Sequence, residues 1–157
     1  MFVKALIIAS LAFCGVASFS WSPYETCEGA PEPENLYIEN CDYFPCPIYT
    51  GYNVNAQWDF LATNEITTLK PVARFKLLRF WVEYKNLNIN GCDNLVGKAQ
   101  KCPLKPNDVG TFELSFPVPN VSMPMDTLSI WIEFSLQDQN EKVHSCFRVN
   151  FLVKKGH

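Results

Sequence analysis

The 157-residue sequence predicts an all-β fold in which two antiparallel sheets pack face to face. Three observations carry this. Several segments alternate apolar and polar side chains with a period of two, as strands with one buried face do. Proline- and amide-rich turn signals separate them at short intervals. No segment carries a convincing helical period, so the long helices that a parallel sheet requires are missing from the pattern.

Residues 1–20 are expected to be a signal peptide and 21–157 a single domain. Lys4 precedes an apolar run over 5–13, followed by the small residues Gly15, Val16, Ala17 and Ser18. The run is well short of the ~20 residues a membrane span needs. With Lys4 removed, 12 basic residues (13 minus 1) face 16 acidic ones, a balance that argues against a nucleic-acid surface.

The proline-rich stretch 21–35 reads as an extended lead-in to a first strand at 36–41. Tyr52, Val54, Ala56, Trp58 and Phe60 then alternate with Asn53, Asn55, Gln57 and Asp59, a strand with one apolar and one amide-rich face. Over 70–84 the alternation is looser. Ala73, Phe75 and Leu77 fall on one face, and a break near Leu78 and Arg79 suggests a bulge or a change of sheet. Phe112, Leu114, Phe116 and Val118 form a further strand, ended or held at an edge by Pro117 and Pro119.

The clearest pair comes last. Leu128, Ile130, Ile132, Phe134 and Leu136 share one face of a strand. After a polar turn at 138–141, Val143, Phe147, Val149, Phe151 and Val153 share one face of the next, with Ser145 its only polar member and His144 and Arg148 opposite. This hairpin needs a second layer over its apolar face.

Cys14 leaves with the signal, so six cysteines remain, at 27, 41, 46, 92, 102 and 146, an even set suited to an oxidising compartment. Six cysteines allow 15 pairings in principle. Locality favours Cys41 with Cys46 across a turn and Cys92 with Cys102 across a polar loop, leaving Cys27 for Cys146. The absence of a C-x-x-C pair and the presence of only two histidines argue against a metal site.

Catalytic signals are weak. His144 and His157 read as solvated residues, as do the outward carboxylates Asp59, Glu133 and Asp138. Arg74, Lys76 and Arg79 read as a solvated strand face or as a rim for a lipid headgroup or ligand carboxylate. Asn120 begins an N-x-S glycosylation acceptor with Val121 and Ser122. The inward faces are rich in large rings, which fill a core or line a cavity equally well by periodicity.

The cysteine order, the run Cys41-Asp42-Tyr43-Phe44-Pro45-Cys46, the pair Cys102-Pro103 leading to Phe116-Pro117-Val118, and Glu133-Phe134-Ser135-Leu136-Gln137-Asp138 leading to Cys146 resemble the ML (MD-2-related lipid-recognition) family across the mature chain. The resemblance implies an immunoglobulin-like sandwich with a hydrophobic cavity between its sheets, no catalysis, no cofactor, and the same three cysteine pairings. It implies a ligand wall at Tyr52, Val54, Phe60, Phe75, Leu77, Phe112, Leu114, Ile132, Phe134, Phe147 and Val149, with a mouth near Trp81 and Tyr84.

The family's vertebrate sterol carrier has a proline-rich run where this chain has Arg79-Phe80-Trp81-Val82-Glu83-Tyr84-Lys85-Asn86-Leu87, and its loop between Cys92 and Cys102 is shorter. The sequence in this respect resembles arthropod-type members. The expected function is a secreted, extracellular or lysosomal-lumen carrier of a fatty acid, semiochemical or sterol, monomeric, with transient membrane or receptor contact. On this expectation Phe134→Asp abolishes lipid binding. The competing expectation is a non-enzymatic interaction module, such as an immune-recognition accessory, with a packed core.

Overall fold

A computed structural model describes residues 21–85, 87, 89–99, 101–120 and 126–156. The expected signal peptide at 1–20, Val121 and Ser122 of the acceptor sequence, and His157 lie outside the described residues.

The order of elements is β1 (Glu25–Thr26), β2 (Glu34–Ile38), β3 (Cys46–Tyr49), β4 (Asn53–Leu61), β5 (Leu69–Leu77), β6 (Phe80–Glu83), a 3-10 turn (Gly91–Asn94), β7 (Leu95–Val96), β8 (Val109–Pro117), β9 (Thr127–Asp138) and β10 (Val143–Lys154). One sheet runs β1-β10-β9-β5-β6, with β3 also on β10; the other runs β2-β4-β8-β7. The pairings are antiparallel apart from β3 with β10, which is parallel through Cys46–Tyr49 against Phe151–Lys154. The expected two-sheet sandwich is therefore the fold.

The inward faces meet as anticipated along β4, β8, β9 and β10. Trp58, Phe60, Phe112, Phe147 and Phe151 are among the largest fully buried side chains. Trp58 packs tilted on Phe112 at 5.0 Å and edge-on to Phe147 at 4.9 Å, spanning both sheets. Such ring contacts stabilise beyond the area they bury.

Two local expectations change. The break near Leu78 and Arg79 is a hairpin turn within one sheet: Leu77 pairs with Phe80 and Phe75 with Val82, and Leu78 takes φ +56°. In β10 the register shifts between Val143 and Ser145. That single extra residue swaps faces. Val143 turns out to an outer groove, while His144 turns in and is 1% exposed, not solvated.

All three cysteine pairs form as expected, Cys27–Cys146, Cys41–Cys46 and Cys92–Cys102. The first ties the N-terminal lead-in to β10, where Cys146 N–H also donates to the Pro31 carbonyl at 2.8 Å.

Candidate ligand-binding cavity

At the end of the sandwich where β3, β8 and β10 finish and β9 begins, the two sheets leave a cavity of about 260 Å³. Its wall comes from Ile48 of β3 and Thr50 just after it, Phe75 of β5, Tyr84, Phe116 of β8 with Val118 and Pro119 just beyond its end, Leu128, Ile130 and Ile132 of β9, and Val153 of β10. Alternation places these side chains inward because each strand entering this end keeps its apolar phase.

Among the described residues, the wall is apolar save for two hydroxyls. Thr50 Oγ1 accepts from the Gly156 N–H at 3.0 Å, so its acceptor capacity is partly used by the chain itself. A Cβ at Gly156 would stand 2.2 Å from the Thr50 carbonyl oxygen, so glycine is required for this closure. Tyr84 packs on Phe116 at 5.1 Å, and Phe116 meets Phe134 edge-on at 6.0 Å. Leu128, 41% exposed, stands at the mouth.

Of the residues expected to form the wall, Phe75, Tyr84 and Ile132 line this cavity. Phe134 lies one layer behind, against Phe116, Phe147 and Phe151. Val54, Phe60, Phe112, Leu114, Phe147 and Val149 are buried in the packed core instead. Tyr52 and Leu77 are surface residues, 56% and 58% exposed. Trp81 faces the outer side of its sheet, with Arg148 5.1 Å and Lys76 6.0 Å from its ring.

Ile48 and Thr50 went unnoticed because Cys46-Pro47-Ile48-Tyr49 is too short, and too interrupted by proline, to show a period. Val118, Leu128, Ile130 and Val153 sit on the inward faces already marked, near the strand ends that line the cavity.

Two polar clusters were read as solvated and are buried. Glu133, 2% exposed, receives Arg74 Nε at 2.9 Å and Arg148 Nε at 2.9 Å, with a further contact from Arg74 Nη2. Asp138, 5% exposed, accepts from Asn64 Nδ2 at 2.8 Å, His144 Nε2 at 3.1 Å, and the N–H groups of Asn140 and Lys142 at 2.8 and 3.0 Å. Burial alone would raise its pKa, but these hydrogen bonds outweigh it and hold the carboxyl at about 2. Both clusters are satisfied internally, and neither faces the cavity. Among the described residues, the group of potential metal ligands is Cys27, Glu133 and Cys146, whose two sulfurs are joined in a disulfide.

A disulfide-tied sandwich of two antiparallel sheets, with an apolar cavity opening at one end, defines the structural class. The chain belongs to the ML domain family, which matches residues 21–153. ML domains are a lipid-binding family. Among solved structures, a Niemann-Pick type C2 protein from the Japanese carpenter ant superposes with a TM-score of 0.71 at 20% identity, covering 84% of this chain and 99% of that one. At that identity the likeness shows the fold. The C-terminal domain of wzt matches at 12% identity and a TM-score of 0.43, over 78% of this chain and 70% of that one. Comparison with curated proteins gives no match.

Proposed function

We propose that this protein is a secreted, non-enzymatic carrier that takes a small apolar molecule into the end cavity and shields it from water during transfer. The observation that supports this most is the wall itself: eleven of the described residues, from both sheets, among which only Thr50 and Tyr84 carry polar side-chain atoms. A ligand entering gains roughly 25 cal/mol for each Å² of apolar surface removed from water. Among the described residues, the wall offers no carboxylate, histidine or cysteine with which to attack a bound molecule.

Ligand sites usually span roughly 300–1,000 Å³. At about 260 Å³ the cavity is small, which favours a slender fatty acid or semiochemical chain over a four-ring sterol. The Tyr84 hydroxyl at the wall is the group to meet a polar head. Secretion is supported by the basic front and apolar run before residue 21 and by three disulfides, and the expected state is a monomer. Asn120 is exposed, as a glycan acceptor must be.

Organic extraction of natively purified protein followed by mass spectrometry tests the reading. A fatty acid or similar slender lipid in near-stoichiometric amount is the expected result. A protein that carries no lipid, and fails to take up a fluorescent fatty acid, is an interaction module with a packed core.

A further inference from the structure

The outward face of the second sheet, turned away from the cavity, is built against the usual preferences of a strand. β4 lies inside its sheet, and along it Asn53, Asn55, Gln57 and Asp59 alternate with Val54, Ala56, Trp58 and Phe60 of the core. Their partners across β8 are Pro117, Ser115, Glu113 and Thr111. Strands are depleted in asparagine and aspartate, yet here two asparagines and an aspartate hold the outward phase of an interior strand. Such conflicts between a residue and its element are expected at functional sites.

These side chains are bonded to one another across three strands. Asn53 Nδ2 donates to Ser115 Oγ at 2.9 Å, Ser115 Oγ to Asn55 Oδ1 at 2.9 Å, and Asn55 Nδ2 to Glu39 Oε2 at 2.7 Å, just past the end of β2. Asp59 accepts from Asn35 Nδ2 of β2 at 2.8 Å and from Thr111 Oγ1 of β8 at 2.6 Å. The network holds the polar groups in place, so a ligand that meets them freezes little side-chain freedom. Over it lies a groove of about 410 Å³, within the range of ligand sites, whose lining includes Tyr37, Glu39, Asn55, Gln57, Asn94 and Glu113.

The chemistry of that lining chooses the ligand. Among the described residues that form it there are two carboxylates and no lysine, arginine or histidine, so phosphate, sulfate and carboxylate groups are repelled. Each amide offers two N–H donors and a carbonyl acceptor, and Asn55 has one amide hydrogen and one lone pair left over from the network. A sugar, whose closely spaced hydroxyls both donate and accept, is the neutral complement to such a surface. The Tyr37 ring, 42% exposed, adds an electron-rich face for the C–H side of a sugar ring.

We propose that the outward face of β2, β4 and β8 binds a neutral oligosaccharide, with Asn55, Gln57 and Glu113 bonded to its hydroxyls and Tyr37 packed on one of its rings. The site faces away from the space between the sheets, so it is filled or empty independently of the end cavity. It does not rest on the carrier reading.

The mature protein carrying Asn120→Gln, so that no glycan of its own competes, is titrated with linear trisaccharides of glucose, mannose and N-acetylglucosamine. Nuclear magnetic resonance follows its backbone and side-chain amides. At least one trisaccharide should shift the side-chain amides of Asn55 and Gln57 and leave the amides of the end cavity unmoved. Gln57→Ala and Glu113→Ala should each weaken that binding by roughly tenfold, the effect of losing a hydrogen bond to the ligand. Both side chains are exposed, so the variants should keep the wild-type melting temperature and the wild-type affinity for a fluorescent fatty acid. A sulfated oligosaccharide should bind at least tenfold more weakly than the neutral one.

The proposal is overturned if none of the three trisaccharides moves these amides at millimolar concentration, or if the folded variants bind as tightly as their parent. Tighter binding of the sulfated oligosaccharide overturns it too, since the face would then select charge. So does a dimer that Gln57→Ala or Glu113→Ala converts to a monomer without a change in saccharide binding, because a second copy would be the occupant. Saccharide binding by a protein that takes up no fatty acid would sink the carrier reading and leave this site standing.

Discussion

The indole N–H of Trp58 on β4 donates to the hydroxyl of Ser145 on β10 at 3.0 Å, a buried hydrogen bond joining the two sheets. Ser145 is the only polar residue in the run of apolar positions on that strand face, and this bond explains it. Replacing Ser145 by alanine leaves a buried donor without its partner, which costs about 1 to 3 kcal/mol. Urea denaturation should show that loss for Ser145→Ala. A change below 0.5 kcal/mol, the size of an ordinary surface substitution, would mean that the bond contributes little (roughly the limit for such sites).

The Asp138 carboxyl, normally ionising at 3.8, does so at about 2 in the folded protein. A depressed carboxylate stabilises the fold above its unfolded pKa and loses that contribution as pH falls through the folded one. Stability should therefore be flat in this respect above pH ~4 and decline between there and pH ~2. Asp138→Asn should destabilise the protein at pH 7 by about 1 to 3 kcal/mol and flatten the acid decline. Thermal melts of both proteins across this range check the sign. An acid limb unchanged in the variant would place the titrating group elsewhere.

The three disulfides should differ in worth, because their loops do. Cys27–Cys146 spans 119 residues, Cys92–Cys102 spans 10 and Cys41–Cys46 spans 5. Chain entropy gives about 5, 3 and 2 kcal/mol respectively. Paired serine substitutions, ranked by denaturant midpoint, should follow that order. A smallest loss at Cys27–Cys146 would contradict it.

Binding should be tested at Ile132 and not at Phe134. Ile132 lines the cavity, so Ile132→Trp should fill it and lower fatty-acid affinity by about tenfold or more, for a cost of about 1 to 3 kcal/mol in overpacking. Phe134 is held by Phe116, Phe147 and Phe151, so Phe134→Asp buries a charge in the core and unfolds the chain instead of reporting on the cavity. Competition with a fluorescent fatty acid measures the first; circular dichroism measures the second.

Much of the architecture was legible because β4, β8, β9 and β10 are long enough for a period of two to repeat. What escaped was set by events outside that period. The one-residue shift at Val143 and Ser145 inverts the faces locally, so His144 was placed outward and lies inside. Glu133 keeps its outward phase yet is buried, because Arg74 and Arg148 close over it and its carboxylate lies within 4.8 Å of the Cys27 and Cys146 sulfurs. Alternation names a face, and only three-dimensional neighbours decide whether that face is wet.

The cavity was harder to read than the fold. Apolar side chains on β8 and β9 look alike along the strand, but Phe112 and Leu114 are buried in the core away from the cavity, whereas Val118 and Ile130 line it. The wall that the family resemblance implied includes residues the structure buries in the packed middle, and also Tyr52 and Leu77, which are at the surface.

The central position of β10 has a consequence for biosynthesis. β1, β3 and β9 all pair with it, and Cys27 waits for Cys146, 119 residues later. At the usual ~5–20 residues per second, the 119 residues between Cys27 and Cys146 take roughly 6 to 24 s to synthesise, an interval in which β1 and β3 have emerged and β10 has not. During that interval Cys27 meets the thiols of Cys41, Cys46, Cys92 and Cys102 first. Maturation therefore calls for an isomerase to undo premature crosslinks, and yield in a host lacking one should fall well before stability does.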